Sequence, residues 1–489
     1  MTGTYWLENF GCRATQADAA AVESQLAASG LTRSDAPARA DVVVFNTCTV
    51  TAAADAQARD AIRRVHRENP AARVLATGCY AQRAPEELAA LPGVAWVVGN
   101  SHQNRIGELL AGEEAGGGFV PLEQLSGTER RPARDAGASK EYSVPLGALA
   151  AAASMPIERS PKILTGDIFE IGEVLVAPAA AGRPPGLAAG RTRPVLKIQD
   201  GCNNRCAYCV IPFVRGRSRS LAPERVKQEA GSLVAAGARE IVLSGINLGA
   251  YGRDLTPRVA LRDLLTHLLD ETPVERIRLS SIEPMDVTLD LVDLVARSGR
   301  IAPHFHVPLQ SGSDRILAAM HRWYRAAHYA ERVLRAAERL PGAAFGADVI
   351  CGFPGESEQD HERTVALVER LPFSYLHVFS YSSRPGTRSA RRGGMAEDVS
   401  PSVIGQRSRE LRAISERKSA AFRAAQSASR QRVLTLERSG THPGGQPWTG
   451  ALTGNYLHVR VDGRWPANRW LDVQLTSEGR ELRGQILDS

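Results

Sequence analysis

The stretch Lys197–Arg219, KIQDGCNNRCAYCVIPFVRGRSR, carries Cys202, Cys206 and Cys209, with three and then two residues between the thiols. A loop this short brings three thiolates to one point with little loss of chain entropy. Any fold of this chain must present that loop with its sulfurs converging. Thiolates are the ligands that soft, sulfur-bridged iron clusters select. Four would saturate a 4Fe–4S cluster; three leave one iron open, as a catalytic zinc keeps one position free. A zinc knuckle and a disulfide pair are the competing uses of such thiols. Zinc would call for a fourth Cys or His close by, and the nearest His, His267, is far along the chain.

Three further cysteines fall into a pattern. The apolar runs TYWLENFGC, DVVVFNTC and ARVLATGC end in Cys12, Cys48 and Cys79, with Ala-rich helical stretches between them. Strands alternating with helices predict a parallel sheet, whose ligand site lies beyond the carboxyl ends of its strands. Each of these thiols sits at such an end, so a second three-Cys cluster on one sheet edge is expected. The alternative is that each is a small buried hydrophobe. Cys351 makes the count seven, and the start, MTGTYWLENFGC, lacks a basic n-region and a long apolar h-region. An odd cysteine count without an export signal points to a reducing cytoplasm. No run of about 18 apolar residues is present, so no membrane span is expected.

Six apolar runs follow: PVLKIQ, EIVLSG, RIRLSS, HFHVPL, AFGADVIC and YLHVFSY, each trailed by a turn and a helical stretch. They predict a partial, open (βα)6 barrel with functional groups just after its strands. Behind the first run come the three cysteines. Behind the others come Ser244–Gly249, Ser280–Pro284, Gln310–Ser313, Gly352–Glu356 and Ser382–Thr387. Glycine lets backbone approach a ligand and small polar groups fix its orientation. Cys351, at the end of the fifth run, reads as a packed core thiol. Of His304 and His306 in the fourth run, one is expected to face the interior, in a hydrogen-bonding rather than a metal-binding role.

The chain divides into residues 1–112, a Gly/Ala/Pro-rich linker or insertion over 113–191, the barrel over 192–426 and a tail over 427–489. Within the insertion, Asp167–Val176 is a candidate strand or docking segment. The tail shows four short strand-like runs, QRVLTLE, YLHVRVDG, WLDVQLT and ELRGQIL, predicting a small antiparallel barrel. Trp448, Trp465, Trp470, Tyr456, Arg460, Arg464 and Arg469 are its candidates for gripping an RNA loop, or for filling its core and turns. Net charge is +7, and between Arg384 and Arg432 twelve basic residues stand against four acidic ones. That surplus suits a phosphate backbone or a solvated helix face.

Two resemblances add to this reading. Cys-x3-Cys-x2-Cys with Tyr208 before its last Cys resembles the signature of radical S-adenosylmethionine (SAM) enzymes. The resemblance implies that the open iron chelates the amino and carboxylate groups of SAM and that the cluster's electron releases a 5′-deoxyadenosyl radical. GCRATQAD, NTCTVTAAAD and GCYAQR resemble the amino-terminal domain of methylthiotransferases, which join it to a radical SAM barrel and a carboxy-terminal RNA-binding barrel called TRAM. Where that family usually carries Asn three residues after the first Cys, this chain has Thr15. The likeness implies two 4Fe–4S clusters, on Cys12, Cys48 and Cys79 and on Cys202, Cys206 and Cys209. It places Tyr208, Gly245, Asn247, Glu283, Gln310 and Asp348 at SAM or at the cavity wall. NTCTVT, GCYAQ, HFHVPLQSGSD and LPFSYLHVFSYSSRPGT resemble the branch that converts threonylcarbamoyl-adenosine, at position 37 beside the tRNA anticodon, to its 2-methylthio form. Sister branches act on isopentenyl-adenosine in tRNA or on an aspartate of ribosomal protein S12. The partners implied are the anticodon loop, a flavodoxin- or ferredoxin-like electron donor and a sulfur source, all cytoplasmic.

Overall fold

Branched apolar runs separated by Ala-rich segments build a parallel sheet covered on both faces. The computed structural model describes residues 3–112, 161–177, 192–391, 398–442, 444–478 and 481–487. Strands β1 (Gly3–Asn9), β2 (Leu31–Arg33), β3 (Val42–Thr47), β4 (Arg73–Gly78) and β5 (Val94–Gly99) lie in the order β2-β1-β3-β4-β5. Side chains alternate along a strand. Val43 and Phe45 therefore pack with α2 (Ala52–Glu68), while Val42 and Val44 pack with α1 (Arg13–Ala28). A strand apolar on both faces belongs inside a parallel sheet. Cys12 and Cys48 follow β1 and β3, and Cys79 opens α3 (Cys79–Arg83) directly after β4.

Of the insertion, residues 161–177 are described. Strand β6 (Lys162–Leu164) pairs with β5 and extends the first sheet. The strand thus precedes the stretch expected to form it. Asp167 turns its carboxylate onto the Phe169 N–H at 2.8 Å, a local bond that competes with a ladder. Asp167–Val176 docks instead: Ile168 and Val174 are buried, and Arg219 Nε donates to the Glu173 carbonyl at 2.7 Å.

The next strand, β7 (Val195–Lys197), leads into a two-residue ladder, β8 (Gln199–Asp200) with β9 (Arg219–Ser220), which closes the base of the Cys202–Cys209 loop. Then come β10 (Glu240–Ser244), β11 (Arg276–Leu279), β12 (His304–His306), β13 (Ala344–Cys351) and β14 (Tyr375–Ser380). Two parallel sheets, β11-β10-β7 and β12-β13-β14, join through a bridge between Ser281 and His306. The result is the expected open six-stranded arc. Ile241, Leu243, Ile277, Leu279, Phe305 and Ala347 point outward into the main apolar core, where Cys351 also lies. The alternate residues point inward, and among them Glu240, Arg278, His304, His306 and Asp348 are polar. A closed eightfold barrel fills its interior with branched side chains; this arc lines its interior for a ligand. Residues two apart on a strand share a face. Both His304 and His306 therefore face inward, where one was expected to.

The helix Pro401–Ala425 lies along β14 and leads to a closed barrel of β15 (Arg430–Thr441), β16 (Pro447–Leu452), β17 (His458–Asp462), β18 (Trp470–Glu478) and β19 (Glu481–Ile486), in the order β15-β16-β17-β19-β18. It has five strands rather than the four expected, and β17 with β19 is parallel. The stretch PWTGAL was missed because its Pro and Gly weaken a strand signal; Pro447 is tolerated as the strand's first residue. Four of the twelve basic residues of the 384–432 stretch are paired within the chain. Arg384 pairs with Asp55, Arg407 with Glu356 and Glu358, Arg417 with Glu369 and Arg432 with Glu275.

Candidate active site

The first trio assembles where β1, β3 and β4 end. Gly11, at φ +109°, lies against Cys48: a Cβ there would stand 2.8 Å from the Cys48 Cβ and 3.0 Å from its Sγ. Only glycine lets the Cys12 loop lie that close. Cys48 and Cys79 are buried and Cys12 is exposed. Thr15 supplies the local bonding: its hydroxyl donates to the Cys12 carbonyl at 2.7 Å, and its own carbonyl accepts from Asn46 Nδ2 at 2.7 Å. Cys79 Sγ accepts from Arg215 Nε at 3.2 Å. Burial, with the nearby thiols, pushes Cys48 up to about 12, and burial also raises Cys79.

The second trio rides the loop between β8 and β9. Gly201, at φ +67°, is required here, since a Cβ would fall 1.9 Å from the Arg217 carbonyl oxygen. Cys202 N–H donates to the Gly216 carbonyl at 3.1 Å, and Ala207 N–H to that of Met320 at 2.9 Å, so both limbs of the loop are tied down. Tyr208 packs edge-on against Phe353. Cys206 Sγ accepts from Arg322 Nη1 at 3.3 Å, and Arg322 Nη2 pairs with Glu283. Burial first, then the neighbouring thiols, raise Cys202 to about 11 and Cys209 to about 12.

All six thiols are free of disulfides. Among the described residues, His306, Asp348 and His377 bring three donor atoms close enough to share one ion, while the sulfurs of each trio stand farther apart. A tetrahedral zinc with Zn–S bonds of about 2.3 Å holds its sulfurs about 3.8 Å apart. Thiols spread more widely, with Cys48, Cys79, Cys202 and Cys209 raised by burial and one guanidinium touching each trio, fit a polynuclear iron group that keeps them as thiolates.

The remaining candidates divide. Glu283 stands beside Cys206 through Arg322, and burial raises its carboxyl. Beyond β10, Gly245 lies against Gln199, whose Oε1 accepts from the Asn247 N–H at 2.8 Å. The Asn247 Oδ1 and Ser244 Oγ are buried without a partner, as polar groups aimed at a ligand are. Gln310 holds φ +66° between two bonds to β13, strain of the kind kept at binding sites. Asp348 meets His306 Nε2 at 3.0 Å and His377 Nδ1 at 3.2 Å; against burial, those imidazoles hold its carboxyl below the usual range. Three of the polar loops have structural work. Ser311 and Ser313 bond Thr364 and Asp360, Glu356 pairs with Arg407, and Arg384 clamps Thr49, next to Cys48. In the tail, Trp470 lies between Arg276 and Arg432, and Tyr456 turns inward. Arg464 and Arg469 are exposed, with Arg469 over Trp465.

Arg215 and Arg322 were not found from sequence, nor was the buried network joining the two trios. Lys197 Nζ bonds Asp200 at 2.7 Å and also Asp18 on α1. Arg215 donates to Asp18 Oδ2 at 2.6 Å and to Asp200 Oδ1 at 3.0 Å. The Gly201 N–H closes on Asp200 Oδ1 at 2.8 Å. Charged residues at the end of an apolar strand were the available signal.

An open six-stranded parallel arc with three cysteines behind its first strand, facing a polar interior, defines a radical SAM enzyme. The radical SAM superfamily matches residues 196–368, and the family described as "Uncharacterized protein family UPF0004" matches residues 4–99. Threonylcarbamoyladenosine tRNA methylthiotransferase MtaB of Aquifex aeolicus (strain VF5) is 34% identical over 93% of this chain and 96% of its own. MtaB of Bacillus subtilis (strain 168) is 36% identical over 84% and 80%. The tRNA-2-methylthio-N(6)-dimethylallyladenosine synthase of Syntrophobacter fumaroxidans is 33% identical over 79% and 75%. The chain belongs to the radical SAM methylthiotransferase family. Among solved structures, the radical SAM methyltransferase TsrM of Kitasatospora setae shares the fold, with a TM-score of 0.55 at 16% identity over 80% of this chain and 77% of that one. Among the described residues no helix is long and apolar enough to cross a membrane.

Proposed function

We propose that this chain adds a methylthio group to C2 of threonylcarbamoyl-adenosine at position 37, beside the anticodon of tRNA. Cys12, Cys48 and Cys79 hold one 4Fe–4S cluster, Cys202, Cys206 and Cys209 hold another, and SAM lies beside the second. The observation that carries this reading is the pair of thiol trios on adjoining strand-end edges, locked together by Asp18, Lys197, Asp200 and Arg215. The relatives named for this reaction support it. When bound, these groups supply radical chemistry and a methylated sulfur, which side chains lack.

The chain's own residues supply position and shelter. Arg322 fixes Glu283 beside Cys206. Asn247 and Gln310 present polar atoms where SAM is proposed to lie. His306, Tyr375 and His377 form a cluster of rings along the inner face, with centroids 5.1–6.1 Å apart, against which a purine splayed from the anticodon loop can lie. Arg464, Trp465 and Arg469 offer the RNA arm charge and a ring at the rim of the terminal barrel. A flavodoxin- or ferredoxin-like protein provides electrons, and a separate sulfur source replenishes the centre.

The test is mass spectrometry of tRNA nucleosides from cells lacking the protein. Loss of the 2-methylthio group from threonylcarbamoyl-adenosine is expected, and its retention overturns the substrate. Relatives named for dimethylallyl-adenosine favour one second reading, in which the group disappears from isopentenyl-adenosine instead.

A further inference from the structure

Tyr456 leaves the turn between β16 and β17 at φ +68° and stacks on His304 with ring centroids 4.5 Å apart. Arg278 holds that turn, donating to the Gly454 carbonyl at 2.9 Å and the Thr453 carbonyl at 3.0 Å. From the first sheet Arg13, the residue after Cys12, donates through Nη2 to the Tyr456 hydroxyl at 3.2 Å. Three units of the fold therefore meet at one phenol.

The charges at this junction do not balance. Arg13, Arg193 and Arg278 all bear on Tyr456, and the carboxylate paired with Arg193 and Arg278 is the same one, Glu240, at 3.4 and 2.7 Å. Arg13 has no ion-pair partner among the described residues, and its Nη1 is buried with nothing to bond. His304 is 1% exposed, and its Nδ1 is likewise unpartnered while Nε2 lies 2.8 Å from the Tyr375 hydroxyl. Buried guanidinium and imidazole nitrogens are rarely left without acceptors, because their desolvation then goes uncompensated. Burial raises the Tyr456 hydroxyl, yet the surrounding guanidiniums bring it below its ordinary value, in keeping with the excess of cations around it.

We infer that Arg13, Tyr456 and His304 form a cradle for an anionic group of the substrate, the threonyl carboxylate of the modified adenosine. This rests on the function proposed above. Joining threonine to adenine through a carbamoyl link uses the amine and leaves the carboxylate free. Arg13 adjoins Cys12, so this junction borders the first trio, within the reach of the long N6 arm of a base held there. A carboxylate supplies the acceptors that Arg13 Nη1 lacks, and a guanidinium is well shaped to take it. An isopentenyl arm would leave the same charges desolvated and unpaired, so the cradle selects against it.

The test uses the full chain with its iron reconstituted, and three anticodon stem-loops. One carries threonylcarbamoyl-adenosine, one its carboxamide analogue and one plain adenosine. The unsubstituted protein is expected to bind the carboxylate loop about tenfold more tightly than the carboxamide loop. Arg13→Gln should close that gap by weakening the carboxylate loop alone, and Arg13→Lys should keep part of it. Equal weakening of both loops with a shallower salt dependence would mean that Arg13 holds a backbone phosphate, and would overturn the assignment; so would no change in either. Should Arg13→Gln fail to fold or to retain iron, Tyr456→Phe keeps the ring and removes the hydroxyl. A gap that Tyr456→Phe leaves unchanged counts against the cradle. If the unsubstituted protein binds neither substituted loop better than plain adenosine, the proposed substrate itself is wrong, a result distinct from failure of the cradle.

Discussion

Arg215 donates from Nε to the Sγ of Cys79 at 3.2 Å, although 136 residues separate them and they belong to different units of the fold. The second trio has its counterpart in Arg322 on Cys206 at 3.3 Å. Each set of thiols thus has one buried guanidinium touching one sulfur. Arg215 is further bound to Asp18 and Asp200, so the contact to Cys79 is one arm of a network that holds the first sheet against β7.

Arg215→Met should therefore unfasten the two units. Asp18 would be left with Lys197 alone, which it shares with Asp200, in a buried site where Arg219 lies 3.5 Å from Asp200. Removing one partner from a buried ionic network costs roughly 3–5 kcal/mol. Urea unfolding should show a loss of that size, and iron analysis should show the variant keeping less metal than the parent. Unchanged stability would mean that the network is dispensable for docking.

The placement of the cysteines behind strand ends was legible in the sequence because apolar runs mark where strands end. The barrel arc was legible for the same reason. What was not legible depends on long-range pairing. Arg215 meets Asp18 across 197 residues and Arg322 meets Cys206 across 116, and no local pattern announces either. Strand β16 gains its order from closure of the terminal barrel, which supplies ladder partners on both sides of a segment containing Pro447 and Gly450. Thr49 and Asp55 show why polar loops were over-read as ligand sites. They need partners of their own, and Arg384 is spent on them.

Arg322→Gln removes a cation and a donor from beside the second trio. Hydrogen bonds to sulfur and net charge help set the potential of an iron–sulfur centre. A nearby positive charge favours its reduced, more negative form. The midpoint potential of the iron proposed to sit on Cys202, Cys206 and Cys209 is therefore expected to fall by roughly 60–120 mV, the equivalent of one charge-assisted hydrogen bond for a single electron. A redox titration followed by electron paramagnetic resonance reads this directly. An unaltered potential would show that Arg322 serves Glu283 alone.

Asp360 predicts an acid-sensitive joint. It is buried beneath the Gln310–Ser313 loop, and its carboxylate accepts from Ser313 Oγ at 2.6 Å, Ser357 N–H at 2.9 Å, Ser357 Oγ at 2.6 Å and Arg315. Burial is the largest single influence and raises the carboxyl, yet these bonds together hold it well below the usual range. A carboxyl depressed by folding stabilises fully above its unfolded pKa of about 4 and loses that contribution as pH falls toward its folded value. Asp360→Asn should cost about 1–3 kcal/mol at neutral pH through the lost cap and charge-assisted bonds. Its unfolding free energy should also decline less than the parent's below about pH 4. Parallel acid limbs for the two proteins would remove Asp360 from the account.

The two trios should also be separable by single substitutions, because they stand on different strands and share no ligand. Cys206→Ala removes a thiolate from the loop between β8 and β9, beside Arg322 and Glu283, where SAM is proposed to bind. It should abolish reductive SAM cleavage and, with it, every later step. Cys48→Ala opens the other trio, and its loop touches Gly11 and Arg384 but none of Cys202, Cys206 or Cys209. That variant should still cleave SAM, within about threefold of the parent, while leaving the tRNA without a methylthio group. It should bind roughly half the iron, since one trio remains whole. Methylthiolation by Cys48→Ala, or loss of all iron from either variant, would show that the six sulfurs do not act as two independent sets.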